Sequence, residues 1–521
     1  MIGDWGFTID AGSRAVIMSI FIAYSLVIVV FGFLVKRQTK GLSSADKLTA
    51  FLTGGKGISA FGIAMVSLTS SFSIGVMIGN VGRVYALGGL IAAICFLTNS
   101  WGVFQMQATL GKKLSILKQR TGVESIIGAL RHRFNSKFLA GFLAVTMTAF
   151  LLSNMSSQFN GGARMIAVMT GVPNYWFGIM LLGVVTIVYA SVGVVRSMIR
   201  VAMLQGVFML VASISTFSFG AAAVANQYGS WADAVSHMLV ERDFLFNPRN
   251  FTYFEAIGLC ILVGFVITAC IHALPSTFAH QSSKTIKNGI IIATVSVPFI
   301  NGLMPSVGFF AYLLNPNLAS GDLATPFVAG YIAPSLIGGL VLAGSASALQ
   351  SSVAAFMLVA ATCIIKDLYK GIIRPDATDE KVLKLMPVFS TIAGVIGISL
   401  ALYPMPLMII VNLFSNGGML TGLWAPLVLG LHWKKATPAG AVSSSIVGLA
   451  TFIVTFVLST NAATRADWNA FARGVNPAMI GLIVAIIVMV VVSQFTKKVE
   501  LGVAQVWFGK TYDEKYTKFL S

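Results

Sequence analysis

A few hydroxyl-bearing positions inside long apolar stretches are the residues here that could do chemistry. Ser67, Thr69, Ser70, Ser71 and Ser73 interrupt the run between Gly62 and Gly75, and the segment 344–352 (GSASALQSS) ends in Ser351 and Ser352. Hydroxyls at mid-membrane depth can bond backbone groups freed by an unwound turn. The first run therefore predicts a broken helix lining a cavity, with close packing of small residues as the alternative. Ser351 and Ser352 either ligate something or bond to carbonyls one turn back. No Asp or Glu sits at mid-depth in any apolar run, Glu255 coming nearest at an end. This argues against a proton relay through buried carboxylates and against a Mg²⁺ or Ca²⁺ site. A monovalent hard cation is what hydroxyls and freed carbonyls can hold, because neutral oxygens replace its water shell at modest cost. The residues thus point to Na⁺ as coupling ion and to a sodium-coupled carrier.

The elements that position these oxygens must be membrane helices. The 521 residues are 56% hydrophobic and only 10% charged, and the mean hydropathy is +0.86. Soluble domains carry about 25% charged residues. Apolar runs of about 20 residues suit helical spans. Continuous blocks such as Ile480 to Val492 exclude a transmembrane β-barrel, whose strands alternate apolar and polar residues. The expected fold class is an all-α integral membrane protein with about thirteen transmembrane helices. They are expected at 14–36, 57–82, 85–110, 137–165, 174–195, 198–226, 252–275, 287–315, 326–366, 384–403, 405–431, 438–460 and 475–495. The run 326–366 is too long for one span, so a short outer helix is expected at its start, broken after Gly338 and Gly339. The start of the chain lacks the basic, apolar and small-residue pattern of a removable signal peptide, so the first helix is expected to stay.

Charge gives the orientation. The net charge of +18, from 35 Lys+Arg against 17 Asp+Glu, would suggest nucleic acid in a soluble protein, but here it gathers in alternate loops. Lys36 to Lys56, Lys112 to Lys137, Arg196 and Arg200, Lys284 and Lys287, Lys366 to Lys384, and Lys434 and Lys435 follow odd-numbered helices. By the positive-inside rule those loops are cytoplasmic. A multi-pass protein of the cytoplasmic membrane results, amino terminus outside and carboxyl terminus inside, with lipid as its neighbour and neither nucleic acid nor an obligate protein partner implied. The four cysteines show no metal or paired spacing. No nucleophile–base pair or Walker-type loop appears, so an enzyme is not expected. The tail 496–521 is too short for a further domain.

A second break is expected where 252–275 ends in CIHALPS, because proline removes a donor and clashes with the preceding turn. The two broken helices begin two five-helix blocks, 57–226 and 252–431, whose loops reverse side, as inverted repeats require. Residues 1–56 add a first helix and a cytoplasmic loop, and 438–495 add two C-terminal helices.

With the pieces LGKK (110–113), QFNGGAR (158–164), MLQG (203–206), NGIII (288–292), IIKDLY (364–369) and PLVLG (426–430) in order along these helices, the chain resembles the sodium:solute symporter family. The resemblance implies a leucine-transporter-like 5+5 inverted repeat plus extra helices. It also implies import of one Na⁺ with a small organic solute, such as the carboxylate pantothenate, by alternating access. Carried over by position, the family's sodium ligands fall on the hydroxyls of Ser351 and Ser352 and the carbonyls of Ala348, Thr69 and Phe72. Some members bind another sodium through an aspartate and two serines; those positions here are Ala202, Ala354 and Ala355, which implies one sodium per solute. The implied solute site offers Ser71 and Ser73, opposed by Asn154, Gln158, His272, Asn412 and Asn416, for each of which an interhelical hydrogen bond is the alternative. Arg164 either attracts a carboxylate or sits at the outer interface. A proton-coupled carrier of the same fold and a non-transporting solute sensor are the competing functions.

Overall fold

The computed structural model describes residues 5–37, 60–87, 90–172, 174–192, 195–241, 253–274, 283–403, 408–460 and 475–508. In chain order these form α1 (Ala11–Arg37), α2 (Ala60–Ser71), α3 (75–87), α4 (90–121), α5 (Ile126–Phe134), α6 (Lys137–Thr170), α7 (Tyr175–Val192), α8 (Val195–Tyr228) and α9 (Trp231–Glu241). There follow α10 (Tyr253–Ala269), α11 (Ser283–Leu314), α12 (321–332), α13 (335–373), α14 (Asp379–Ala401), α15 (408–432), α16 (Pro438–Thr460), α17 (Pro477–Phe495) and α18 (Leu501–Phe508). Every described element is helical. Eight helices among the described residues are long and apolar enough to cross a membrane, and the other five expected spans are present as the shorter or interrupted 60–87, α4, α7, α10 and α15.

At the centre stands α13. The most apolar window of this helix is 83% buried, against 28–50% for the other seven candidate spans, so its hydroxyls face protein rather than lipid. It is wrapped by α1, α2, α6, α7, α8 and α14. Small residues make the close approaches possible: a Cβ on Gly344 would lie 2.3 Å from the Ala212 side chain and 2.9 Å from Phe208 O of α8. Such contacts replace the hydrophobic drive that lipid does not provide between helices.

Several expected boundaries shift. The break before α13 is at Ala333 and Pro334, not after Gly338 and Gly339. Pro334 starts the new helix where its missing N–H costs nothing, while the two glycines lie inside it, pressed against Ile17, Ile20 and Ala329 of neighbouring elements. The third expected span, 85–110, begins at Leu90 and continues as helix to Thr121. The basic stretch that follows, expected as loop, contains α5. Ser125 caps it by accepting from Gly128 N, Asn135 ends it in the left-handed conformation, and its apolar face buries Ile126, Ile127, Leu130 and Phe134. The helix expected over 252–275 stops at Ala269; Pro275 lies outside the described residues, as do the side chains of Glu255, Arg196 and Arg200.

Candidate ion and solute site

The hydroxyl-rich first run does break, at Phe72 and Ser73 between α2 and α3. Ser73 restarts the helix: its Oγ accepts from Gly75 N at 3.1 Å and its carbonyl from Val76 N at 2.9 Å. A side chain that caps locally in this way competes with continued helix, the physical reason serine favours such positions. Gly75 is needed here because a Cβ would sit 2.9 Å from Ser73 Oγ and 3.3 Å from Asn412 Nδ2. A π-helical segment, Gly75–Asn80, follows directly. The second break opens after Ala269, where Ala273 N bonds Cys270 O at 2.9 Å in a turn.

Between the breaks lies a cavity of about 80 Å³ lined by Ser73, Asn154, His272, Asn412 and Asn416 of the candidate solute residues. Asn80, Phe96, Asn99, Cys270 and Phe356 complete its functional rim, and no Asp, Glu, Lys or Arg is among the described residues lining it. Three asparagines form a closed ring. Asn154 Nδ2 donates to Asn416 Oδ1 at 3.1 Å, Asn416 Nδ2 to Asn412 Oδ1 at 2.9 Å, and Asn412 Nδ2 to Asn154 Oδ1 at 3.2 Å. Gln158 stands behind the ring rather than on the wall. It is fully buried, donates to Asn154 Oδ1 at 3.1 Å, and its Oε1 has no hydrogen-bond partner among the described residues. The His272 ring stands edge-on to Phe356 with centroids 4.4 Å apart. Ser71 ends α2, and its side chain lies outside the described positions.

The ion candidates lie on two helices in contact, the end of α2 and the middle of α13. Thr69 is buried in the last turn of α2, which ends just before Phe72. On α13, Ser351 Oγ donates to Ala348 O at 3.1 Å. Ser352 is 1% exposed and its Oγ has no hydrogen-bond partner among the described residues, an arrangement that costs free energy unless something else is bound. Buried neutral oxygens of this kind fit an alkali cation and not a divalent one; among the described residues no His, Cys, Asp and Glu cluster suited to a metal occurs. Ala202 and Ala354 are buried and bring no side-chain oxygen.

Two broken helices around a buried polar cavity suit a carrier architecture, and the chain can be placed within a family. The model of the sodium:solute symporter family matches residues 51–448. The chain belongs to the sodium:solute symporter family. Its relatives include sodium/pantothenate symporters of Haemophilus influenzae, 26% identical over 80% of this chain and 85% of the relative, and of Escherichia coli, 27% identical over 81% and 87%. Among solved structures, a substrate-bound outward-open Na⁺-coupled sialic acid symporter superimposes with a TM-score of 0.72 at 16% identity, covering 93% of this chain and 99% of that one. A nucleobase-cation-symport-1 family transporter in a closed conformation gives 0.51 at 12% identity, covering 88% and 97%. The fold is therefore leucine-transporter-like, and family and fold are those of multi-pass membrane transporters.

Beyond the residues named from the sequence, Asp322, Tyr24 and Asn99 belong to this polar interior. Arg164 pairs with Asp322 of α12 at 2.5 Å, and Asp322 is almost fully buried. Tyr24 of α1 joins α13, donating to Gln350 Oε1 and accepting from Ser347 Oγ, both at 2.8 Å. Asn99 lines the cavity with an Oδ1 that has no hydrogen-bond partner among the described residues. A lone Asn or Tyr in an apolar run gives no periodic signal; only the partners on distant helices single these out.

Proposed function

We propose that this protein is a sodium-coupled symporter that imports one Na⁺ with one small organic solute across the plasma membrane, amino terminus outside and carboxyl terminus inside. Ser351, Ser352 and the carbonyls of Ala348, Thr69 and Phe72 hold the ion. Ser71, Ser73, Asn154, His272, Asn412 and Asn416 face the solute, with Gln158 behind them fixing Asn154. The observation that carries the reading is the buried Ser352 hydroxyl, without a hydrogen-bond partner among the described residues, on a helix packed against the broken end of α2. Na⁺ supplies the missing partner and bridges blocks 57–226 and 252–431, stabilising the arrangement that admits solute. Coupling is then a difference in ion affinity between two states. The sodium gradient drives import, with the membrane potential adding about 2.3 kcal/mol per charge per 100 mV.

Pantothenate, named for the two relatives, is the first solute to test. The protein in proteoliposomes should accumulate labelled pantothenate above its outside concentration with an inward NaCl gradient, and not with KCl or choline chloride. Accumulation driven by a proton gradient without sodium would replace this reading by a proton-coupled carrier. Sodium-dependent binding without accumulation would replace it by a sensor.

A further inference from the structure

The short helix α18 follows the last spanning helix and docks on α4 and α5. Trp507 Nε1 donates to His132 Nδ1 of α5 at 3.1 Å, and Arg120 Nη1 of α4 donates to Val506 O at 2.9 Å. Phe508 sits against two cations, with Arg133 at 5.3 Å and Lys113 at 5.9 Å from its ring centroid. Cations around the C-terminal turn of a helix agree with its dipole.

Those two cations also hold the rest of this face together. Arg133 is fully buried; its Nε donates to Gly430 O at 2.8 Å and its Nη2 reaches Trp433 O and Ala436 O, both at 3.4 Å. Lys113 Nζ donates to Leu431 O at 2.9 Å. The aromatic end of α18 therefore closes over the joint between α4, α5 and the end of α15.

One link in this seat is conditional on charge. Indole N–H is a donor only, and an imidazole accepts at Nδ1 only while neutral; the imidazolium donates at both nitrogens. Among the described residues no carboxylate pairs with His132. Arg131 and Arg133 flank it on α5, and Arg120 reaches the same stretch of α18 from α4. Across the cavity that His132 lines stand Lys137, Lys366 and Lys370 with Glu124, Asp367 and Asp379. Each of these carboxylates is already engaged: Glu124 by Lys366 at 2.9 Å, Asp367 by Ser125 Oγ at 2.5 Å, and Asp379 by Lys370. We propose that Leu501–Phe508 is a latch holding the ends of α4, α5 and α15 together, and that protonation of His132 releases it. Burial, and then the Arg131 charge, hold the His132 pKa below its ordinary 6.5. The docked tail thus binds the proton more weakly than the released one. Docking is complete above the ordinary value and is lost as pH falls through the window beneath it.

The test uses the purified full-length protein in lipid nanodiscs and needs no solute. Subtracting the emission of Trp507→Phe from that of the wild type isolates Trp507 from the other tryptophans, the chain having 8 in all. Between about pH 8 and pH 5 the Trp507 emission should shift reversibly to longer wavelength and iodide quenching should rise, the docked-to-released ratio falling up to about tenfold per pH unit. His132→Gln, whose amide oxygen accepts the same bond without titrating, should stay docked throughout. A Trp507 signal that ignores pH in the wild type, or a His132→Gln protein that shifts like the wild type, overturns the proposal. If His132→Gln fails to seat the tail at about pH 8, the pH scan is repeated on Asp367→Asn, the buried carboxylate of the same cavity; a shift that persists there supports the proposal, because a seat held by Arg120 and Arg133 does not titrate in this range, and one that Asp367→Asn abolishes overturns it.

Discussion

Replacing Ser352 by alanine separates an ion ligand from a packing residue. Its hydroxyl is buried and has no hydrogen-bond partner among the described residues, and a buried polar group left without a bond costs about 1–3 kcal/mol. Without sodium, Ser352→Ala removes that cost and should stabilise the protein by up to the same amount. With sodium the order reverses. A ligand at about 100 times its Kd stabilises by about 2.7 kcal/mol, and the variant forfeits much of this gain because one ligand oxygen is gone. The two proteins should therefore cross: the variant melts higher in choline chloride and lower in NaCl at equal ionic strength. Ser351→Ala is the companion, since its hydroxyl already has a partner in Ala348 O. It should show no gain in choline chloride, yet a smaller sodium response. A Ser352→Ala protein that keeps the full sodium-specific shift would refute the ion assignment, and one that melts lower in choline chloride would refute the cost assigned to the unpartnered oxygen.

Three further outcomes are expected. Asn412→Ala opens the asparagine ring and removes a donor to Asn154 Oδ1, so half-saturation for solute should rise at least several-fold in uptake assays while sodium-specific stabilisation in the absence of solute stays near wild type. Arg164→Ala leaves the Asp322 carboxylate almost fully buried without its cation, a change costing about 3 kcal/mol; a lowered melting midpoint that Arg164→Lys largely restores is the check. Gly102→Ala places a Cβ 2.4 Å from Gly264 O and 2.3 Å from the Ile267 side chain. Because a backbone carbonyl cannot swing aside, overpacking of about 1–3 kcal/mol between α4 and α10 is expected in thermal unfolding.

The sequence made the first break legible because serines at positions 70, 71 and 73 stand just before Gly75, and each offers the backbone a partner other than the helix. Span count and fold class were legible for a different reason: apolar runs leave lipid-crossing helices as the workable structure. The exact break before α13 was not legible, since a glycine pair and a proline both signal interruption. Only the structure shows that Gly338 and Gly339 serve close approach to Ile17 and Ile20. Nor were α5 and α18. These short helices are held by Arg133, His132 and Trp507, whose partners lie some 300 to 375 positions away in the chain. In the cavity beside Ser73, nothing in the spacing of Asn154, Asn412 and Asn416 announces that three amides close on one another.

That closed ring bears on the half of a transport cycle in which nothing is carried. A symporter that has delivered its cargo must return empty, and closing a polar pocket around nothing strands hydrogen-bonding groups at a cost of about 1–3 kcal/mol each. Asn154, Asn412 and Asn416 bond to one another, so the groups in the ring keep partners of their own when the pocket closes. A solute that enters must break these bonds before it gains its own. The same three residues that would recognise the cargo thereby set both how readily the vacant carrier resets and how good a match a molecule must be to open it.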